Sequence, residues 1–141
     1  MKNQKKPINL ICFTYNIAEV LNFNAEEIYI LDCVMIGDKK AVACIEDTAV
    51  ALEDLPNYIE EFTKIMDKYQ QNAVYYAHAG AGELHLRPIL NLKKKEDVVL
   101  FRKITTETAE LVKKYKGSFS GEHGDGIVRA EFIPLMIGEQ N

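Results

Sequence analysis

Residues 73–90 read AVYYAHAGAGELHLRPIL. Two runs of β-branched, aromatic and apolar residues flank a glycine-containing centre, which predicts strands over 73–77 and 84–90 joined by a turn. A hairpin centred between Ala81 and Gly82 sets Gly80 opposite Glu83, Ala79 opposite Leu84 and His78 opposite His85. Directly opposed residues share a face, with Cβ atoms about 4.5–5.5 Å apart. Two imidazoles at that spacing can share one metal ion at about 2.0–2.1 Å per nitrogen. The plainer alternative is a pair of separate, hydrogen-bonded polar residues on a sheet. Arg87 lies two residues beyond His85 and projects from the same face of an extended strand.

Outward from the hairpin, residues 54–70 carry Leu55, Tyr58, Ile59, Phe62, Ile65, Met66 and Tyr69 at three- and four-residue steps, the pattern of a helix with one apolar face. Asp54 suits its N-cap and Pro56 its first turn. Residues 96–116 predict a second helix, with Val98, Phe101, Ile104, Thr105, Thr108, Leu111, Val112 and Tyr115 inward and Gly117 ending it. Residues 8–15, 28–36 and 41–45 read as strands, with a turn at 37–40, and the last of them leads into Glu46-Asp47-Thr48. From 41 to 117 the order is strand, helix, strand, strand, helix. That order predicts an α+β domain, a ferredoxin-like, mostly antiparallel sheet with helices on one face.

Beyond Gly117 the character changes. Ser118-Phe-Ser-Gly-Glu-His-Gly-Asp-Gly126 packs glycines around three ionisable groups, a loop whose backbone comes close to something. Glu122 suits a third metal ligand, and a two-His, one-carboxylate set leaves coordination positions open. His123, with an ordinary pKa near working pH, suits a base. Gly121 and Gly124 would let the loop approach a flat ligand. Asp125 reads as a turn residue between two glycines, or else as a group orienting a histidine.

The bulk composition excludes several classes. The chain has 141 residues, is 48% hydrophobic and 27% charged, and carries a net charge of −4. This is a one-domain globular composition without the basic footprint of a nucleic-acid binder. Its one basic run, Lys93 to Lys95, precedes a helix and reads as solvated surface. No apolar stretch is long enough to span a membrane and no secretory signal is visible. Cys12, Cys33 and Cys44 form no C-x-x-C pair and read as buried thiols in a reducing, cytoplasmic setting.

His78-Ala-Gly-Ala-Gly-Glu-Leu-His85 and Ser120-Gly-Glu-His-Gly-Asp-Gly126 together resemble the two signatures of the FAD-linked oxidase C-terminal domain. That family includes the D-lactate dehydrogenase, glycolate oxidase subunit and D-2-hydroxyglutarate dehydrogenase group. Ile45-Glu-Asp-Thr-Ala-Val50 and the helix after it are also similar, so the resemblance runs from Ala41 to the C-terminus and leaves 1–40 as a lead-in. It implies that His78, His85 and Glu122 hold a divalent, zinc-like metal. It implies that His123 takes the proton of a 2-hydroxy acid, that Arg87 contacts the substrate, and that residues 121–124 (Gly121, Glu122, His123, Gly124) face FAD. Hydride then passes from substrate to flavin. Many members read H-x-G-D-G-N-L-H, whereas Ala81 and Glu83 stand at the Asp and Asn positions here. Ala81 changes the turn. Glu83 either adds negative charge near the metal or points to the opposite face.

The family holds FAD mostly on a separate N-terminal domain, and no glycine-rich pyrophosphate loop lies upstream of Ala41. The expectation is therefore a fragment of a longer protein, in which a FAD-binding domain and an iron–sulfur module would be partners and any membrane association would be peripheral, at the inner membrane, through the parent. Alone it should bind FAD poorly and turn over nothing. Two competing expectations are a small metal-dependent hydrolase on the same residues and a non-catalytic ferredoxin-like interaction domain.

Overall fold

The computed structural model describes residues 10–12 and 37–139. The strand expected over 28–36 lies outside them, as does most of that over 8–15. The elements are β1 (Leu10–Cys12), β2 (Lys40–Ala41), β3 (Ile45–Ala49), α1 (Leu55–Lys68), β4 (Ala73–His78), β5 (Glu83–Leu90), α2 (Lys95–Lys114), α3 (Gly126–Arg129) and α4 (Ile133–Ile137). The strand, helix, strand, strand, helix order is present, and the domain is α+β.

β4 and β5 form the antiparallel centre, and β1 adds to β4 in parallel. β2 and β3 follow one another along the other edge of β5, both antiparallel to it. The single strand expected over 41–45 is thus two short strands. The break lies at 42–44, where the Cys44 N–H donates to the Val42 carbonyl.

Alternation along the strands sorts residues between two faces. Ala77, Leu84, Leu86 and Leu90 are buried with Tyr58, Phe62 and Met66 of α1 and Ile104, Ala109 and Val112 of α2. Each large apolar side chain sealed there is worth about 1.5–3 kcal/mol. Cys44, free and buried, belongs to this core, and burial pushes its thiol up to about 11. Tyr76, His78, Glu83, His85 and Arg87 occupy the alternate positions.

Helix ends show where local expectations bend. Asp54 stands at the α1 N-cap but makes no side-chain cap, because a 3-10 turn over Leu52–Asp54 already leads into the helix. Pro56 falls in the first turn as expected. At the end of α2 it is Lys116, not Gly117, that takes the left-handed conformation, with φ 54°. The Gly117 and Lys116 N–H groups close the turn onto the Val112 and Lys113 carbonyls. Glycine is required at 117 for a different reason: a Cβ there would lie 2.3 Å from the Ala49 carbonyl oxygen. Val98, expected inward, is half exposed in the first turns of α2.

Candidate metal and proton-transfer site

The β4–β5 hairpin is not centred between Ala81 and Gly82. His78 pairs with Glu83 and Tyr76 pairs with His85, so the register is displaced by two residues from the expected one. A two-residue turn at Ala81-Gly82 would need positive φ at Ala81, which an L side chain resists. Residues 79–82 instead form a longer turn in which Gly82 alone is left-handed, with φ 73°. A Cβ on Gly82 would collide with the Val50 carbonyl oxygen at 2.1 Å.

A displacement of two preserves the face. His78 and His85 therefore still meet, now as diagonal neighbours, with ring centroids 5.2 Å apart. The same displacement sets Glu83 directly opposite His78, with Oε1 3.7 Å from His85 Nε2. Glu83 does not point to the opposite face.

The loop over 118–125 adds the remaining groups. Glu122 Oε2 lies 3.9 Å from His78 Nε2 and 3.6 Å from His123 Nε2. The His123 ring is 5.9 Å from that of His85. His78, Glu83, His85 and Glu122 each offer a donor atom within 4.8 Å of the others, and Asp47, Glu122 and His123 form an adjoining set. His85 and Glu83 are buried, and His85 Nδ1 and Glu83 Oε1 have no hydrogen-bond partner. Imidazole and carboxylate donors converging on one point, with the buried Glu83 Oε1 lacking a hydrogen-bond partner, fit a metal ion.

Electrostatics treat the two buried donors differently: His85 is held in its ligating form, whereas Glu83 is pushed toward its protonated acid. Burial first, then the charges of His78 and His123, lower the pKa of His85 against the opposing pull of Glu46, so the imidazole stays neutral. Burial raises Glu83, and the neighbouring Asp47 and Glu122 carboxylates raise it further. Burial also opposes the charge on Asp47, but hydrogen bonds from Glu83, Ser120 and the His123 and Glu122 backbone hold it down at about 2.

Arg87 reaches this face but is engaged within the chain. Its Nε and Nη2 donate to Glu46 Oε2 and Oε1 at 3.1 and 2.5 Å, and its guanidinium lies over the Tyr76 ring. The Tyr76 hydroxyl also donates to Glu46, and its ring stacks on His85 at 4.6 Å. Burial raises the Glu46 pKa, but the Arg87 and Tyr76 hydrogen bonds outweigh it and the net shift is downward.

Of the two flanking glycines, Gly121 packs inward: a Cβ there would meet the Ala49 Cβ at 3.2 Å. Gly124 has φ 82° and open space beside it. Asp125 occupies the N-cap position of α3, where its carbonyl accepts from the Arg129 N–H. Residues 43, 46, 47, 123, 125, 128 and 129 line a cleft of about 230 Å³.

Sequence reasoning singled out neither Asp47 nor Arg129. Both are buried, and Arg129 Nη2 donates to the Gly124 carbonyl at 2.6 Å, 3.7 Å from Asp47 Oδ2. The available signal was the acid pair Glu46-Asp47 set inside an otherwise strand-forming run.

The model of the family described as FAD linked oxidases, C-terminal domain, matches residues 5–141. The chain belongs to that family. This FAD-linked oxidase C-terminal domain is 44% identical over 91 residues, 64% of the chain, to D-2-hydroxyglutarate dehydrogenase of Haemophilus influenzae, covering 9% of that protein. It is 38% identical over 103 residues, 73% of the chain, to the Pseudomonas putida D-2-hydroxyglutarate dehydrogenase, covering 10% of it. Over 101 residues, 72% of the chain and 22% of the relative, it is 24% identical to glycolate oxidase subunit GlcD of Bacillus subtilis. The chain thus spans about a tenth of the length of the first two relatives. The family match also takes in residues upstream of Ala41, where the motif resemblance does not reach. Among the described residues no helix is long and apolar enough to cross a membrane.

Proposed function

We propose that this domain supplies the substrate-facing, metal-holding part of a FAD-dependent 2-hydroxy-acid dehydrogenase, of the D-2-hydroxyglutarate, D-lactate or glycolate type. The observation that carries the reading is the convergence of His78, Glu83, His85 and Glu122 beside His123 on one sheet face. His78, His85 and Glu122 would hold a divalent, zinc-like metal, with Glu83 beside it hydrogen-bonded to Asp47. A metal held there would supply Lewis acidity toward the substrate hydroxyl. His123, on an exposed loop next to the ligands, accepts the hydroxyl proton at its imidazole. Arg87 places positive charge on the same face and, with Glu46 fixing its plane, orients the substrate carboxylate.

FAD bound by the parent protein would supply the hydride acceptor for the substrate α-hydrogen. The cleft beside His123, at about 230 Å³, is below the roughly 300–1,000 Å³ of a site that encloses a drug-sized ligand. The domain therefore offers one wall to the flavin, formed by residues 121–124, and the rest of the site comes from a FAD-binding domain of the parent protein. An iron–sulfur module belongs to the same parent, which is cytoplasmic or peripheral to the inner membrane.

The test uses the parent protein. D-2-hydroxyglutarate or D-lactate should bleach its flavin, and His123→Ala should slow bleaching by at least about 100-fold. Unchanged bleaching in that variant removes His123 from the mechanism. Ester or amide hydrolysis by the 141-residue chain alone would replace the dehydrogenase reading with a hydrolase.

A further inference from the structure

Glu122 and His123 face the hairpin from a loop that has little structure of its own. Their side chains are 50% and 60% exposed, so packing does not fix them. The loop is bridged to Ala49 at Ser118 and held by Arg129 at Gly124, and between those points it is tied to one residue of β3. The Gly121 N–H donates to the Asp47 carbonyl, the Ser120 hydroxyl to Asp47 Oδ2, and the His123 N–H to the same Oδ2, each at 2.7 Å. Two of these bonds end on a carboxylate, which makes them charge-assisted and stronger than neutral ones. The partners lie more than 70 residues away in sequence.

The backbone around Asp47 is built for this. Glu46 pairs with His85 and Thr48 with Leu84, so Asp47 is the extra residue of a bulge, and it adopts φ 80°. A bulge of this kind re-aims a side chain that strict alternation would send elsewhere. Thr48 is thereby returned to the helix side, where its hydroxyl accepts from Tyr58. Asp47 is fully buried, yet its partners are loop groups and the neighbouring Glu83 and Arg129. A buried carboxylate in a left-handed bulge is a costly arrangement that hydrophobic packing does not require.

We infer that Asp47 is a positioning residue, which sets the loop carrying Glu122 and His123 against His78 and His85 and so controls the metal affinity of the site. This rests on the metal-holding reading above. Asp47 touches the reaction only through the loop; the β3 bulge delivers its carboxylate, and the loop amides read it.

The experiment uses the 141-residue chain, with Asp47→Ala, Asp47→Asn and Ser120→Ala. Amide hydrogen exchange at Gly121 and His123 reports the loop directly, without metal. Titration with zinc reports the site. Expected are a protected His123 amide in the wild type, exchange at least about 10-fold faster in Asp47→Ala, and zinc affinity lowered by about 10–100-fold in the same variant. Asp47→Asn keeps an acceptor oxygen without the charge and should recover part of both. Ser120→Ala should lose the least. A His123 amide that exchanges equally fast in wild type and Asp47→Ala overturns the inference, as does undiminished zinc affinity in a folded Asp47→Ala chain. Should Asp47→Ala fail to fold, Asp47→Asn and Ser120→Ala carry the same comparison. A wild-type chain that takes up no zinc overturns the metal-holding reading instead, and the amide exchange then decides the role of Asp47.

Discussion

The two faces of the β4–β5 hairpin are made by alternate residues of the same two strands, and they have almost nothing in common. One face presents Ala77, Leu84, Leu86 and Leu90 to two helices and is sealed. The other presents Tyr76, His78, Glu83, His85 and Arg87, with Glu46 from the next strand. Burial on the first face is satisfied by dispersion and loss of water contact. Burial on the second leaves His85 Nδ1 and Glu83 Oε1 without hydrogen bonds. Stability and chemistry are thus separated by one step along a strand, which predicts that they can be damaged separately.

The largest effect is expected on the sealed face. Phe62 is fully buried, and Phe62→Ala should cost about 3–5 kcal/mol in urea unfolding. Zinc affinity per folded molecule should change little; a parallel collapse of affinity would show that the faces are not independent. The converse is His85→Ala, which should lower zinc affinity by more than about 100-fold. Its stability loss should stay well below that of Phe62→Ala, and an equal loss would break the comparison from the other side.

A smaller effect sharpens the boundary between the faces. The pKa of Asp47 is held at about 2 in the folded chain, against about 3.9 in an unfolded one. A group depressed on folding adds stability that is fully present above the unfolded value and lost as the pH falls through the folded one. Asp47 should contribute roughly 2 kcal/mol at neutral pH, disappearing between about pH 4 and pH 2. Asp47→Asn should flatten that part of the acid-unfolding profile; an unchanged profile refutes the assignment. The smallest effect is expected outside both faces. Lys64 and Glu60 form an exposed helical pair at 2.9 Å, and Lys64→Ala should move the urea midpoint by no more than about 0.5 kcal/mol in stability.

The family resemblance was legible because both glycine-rich motifs are continuous stretches, and the family match agrees with it. The helices were legible because their apolar faces repeat locally; of the seven positions marked on α1, Tyr58, Phe62 and Met66 are buried. The hairpin register was not, since it depends on whether Ala81 accepts positive φ and on how closely Gly82 approaches the Val50 carbonyl of a neighbouring segment. The error did no harm to the face assignment because it was an even number of residues.

Local periodicity and motif spacing by themselves determined the α+β order, the two faces of the hairpin and the meeting of His78 with His85. Tertiary structure alone decided that Glu83 joins them, that Glu46 engages Arg87, and that Asp47 ties down the loop of Glu122 and His123. The contacts of Glu46 with Arg87 and of Asp47 with the loop join residues 41 to 76 positions apart. No sequence period encodes such separations; they follow from which strand lies beside which and from where a bulge turns a side chain.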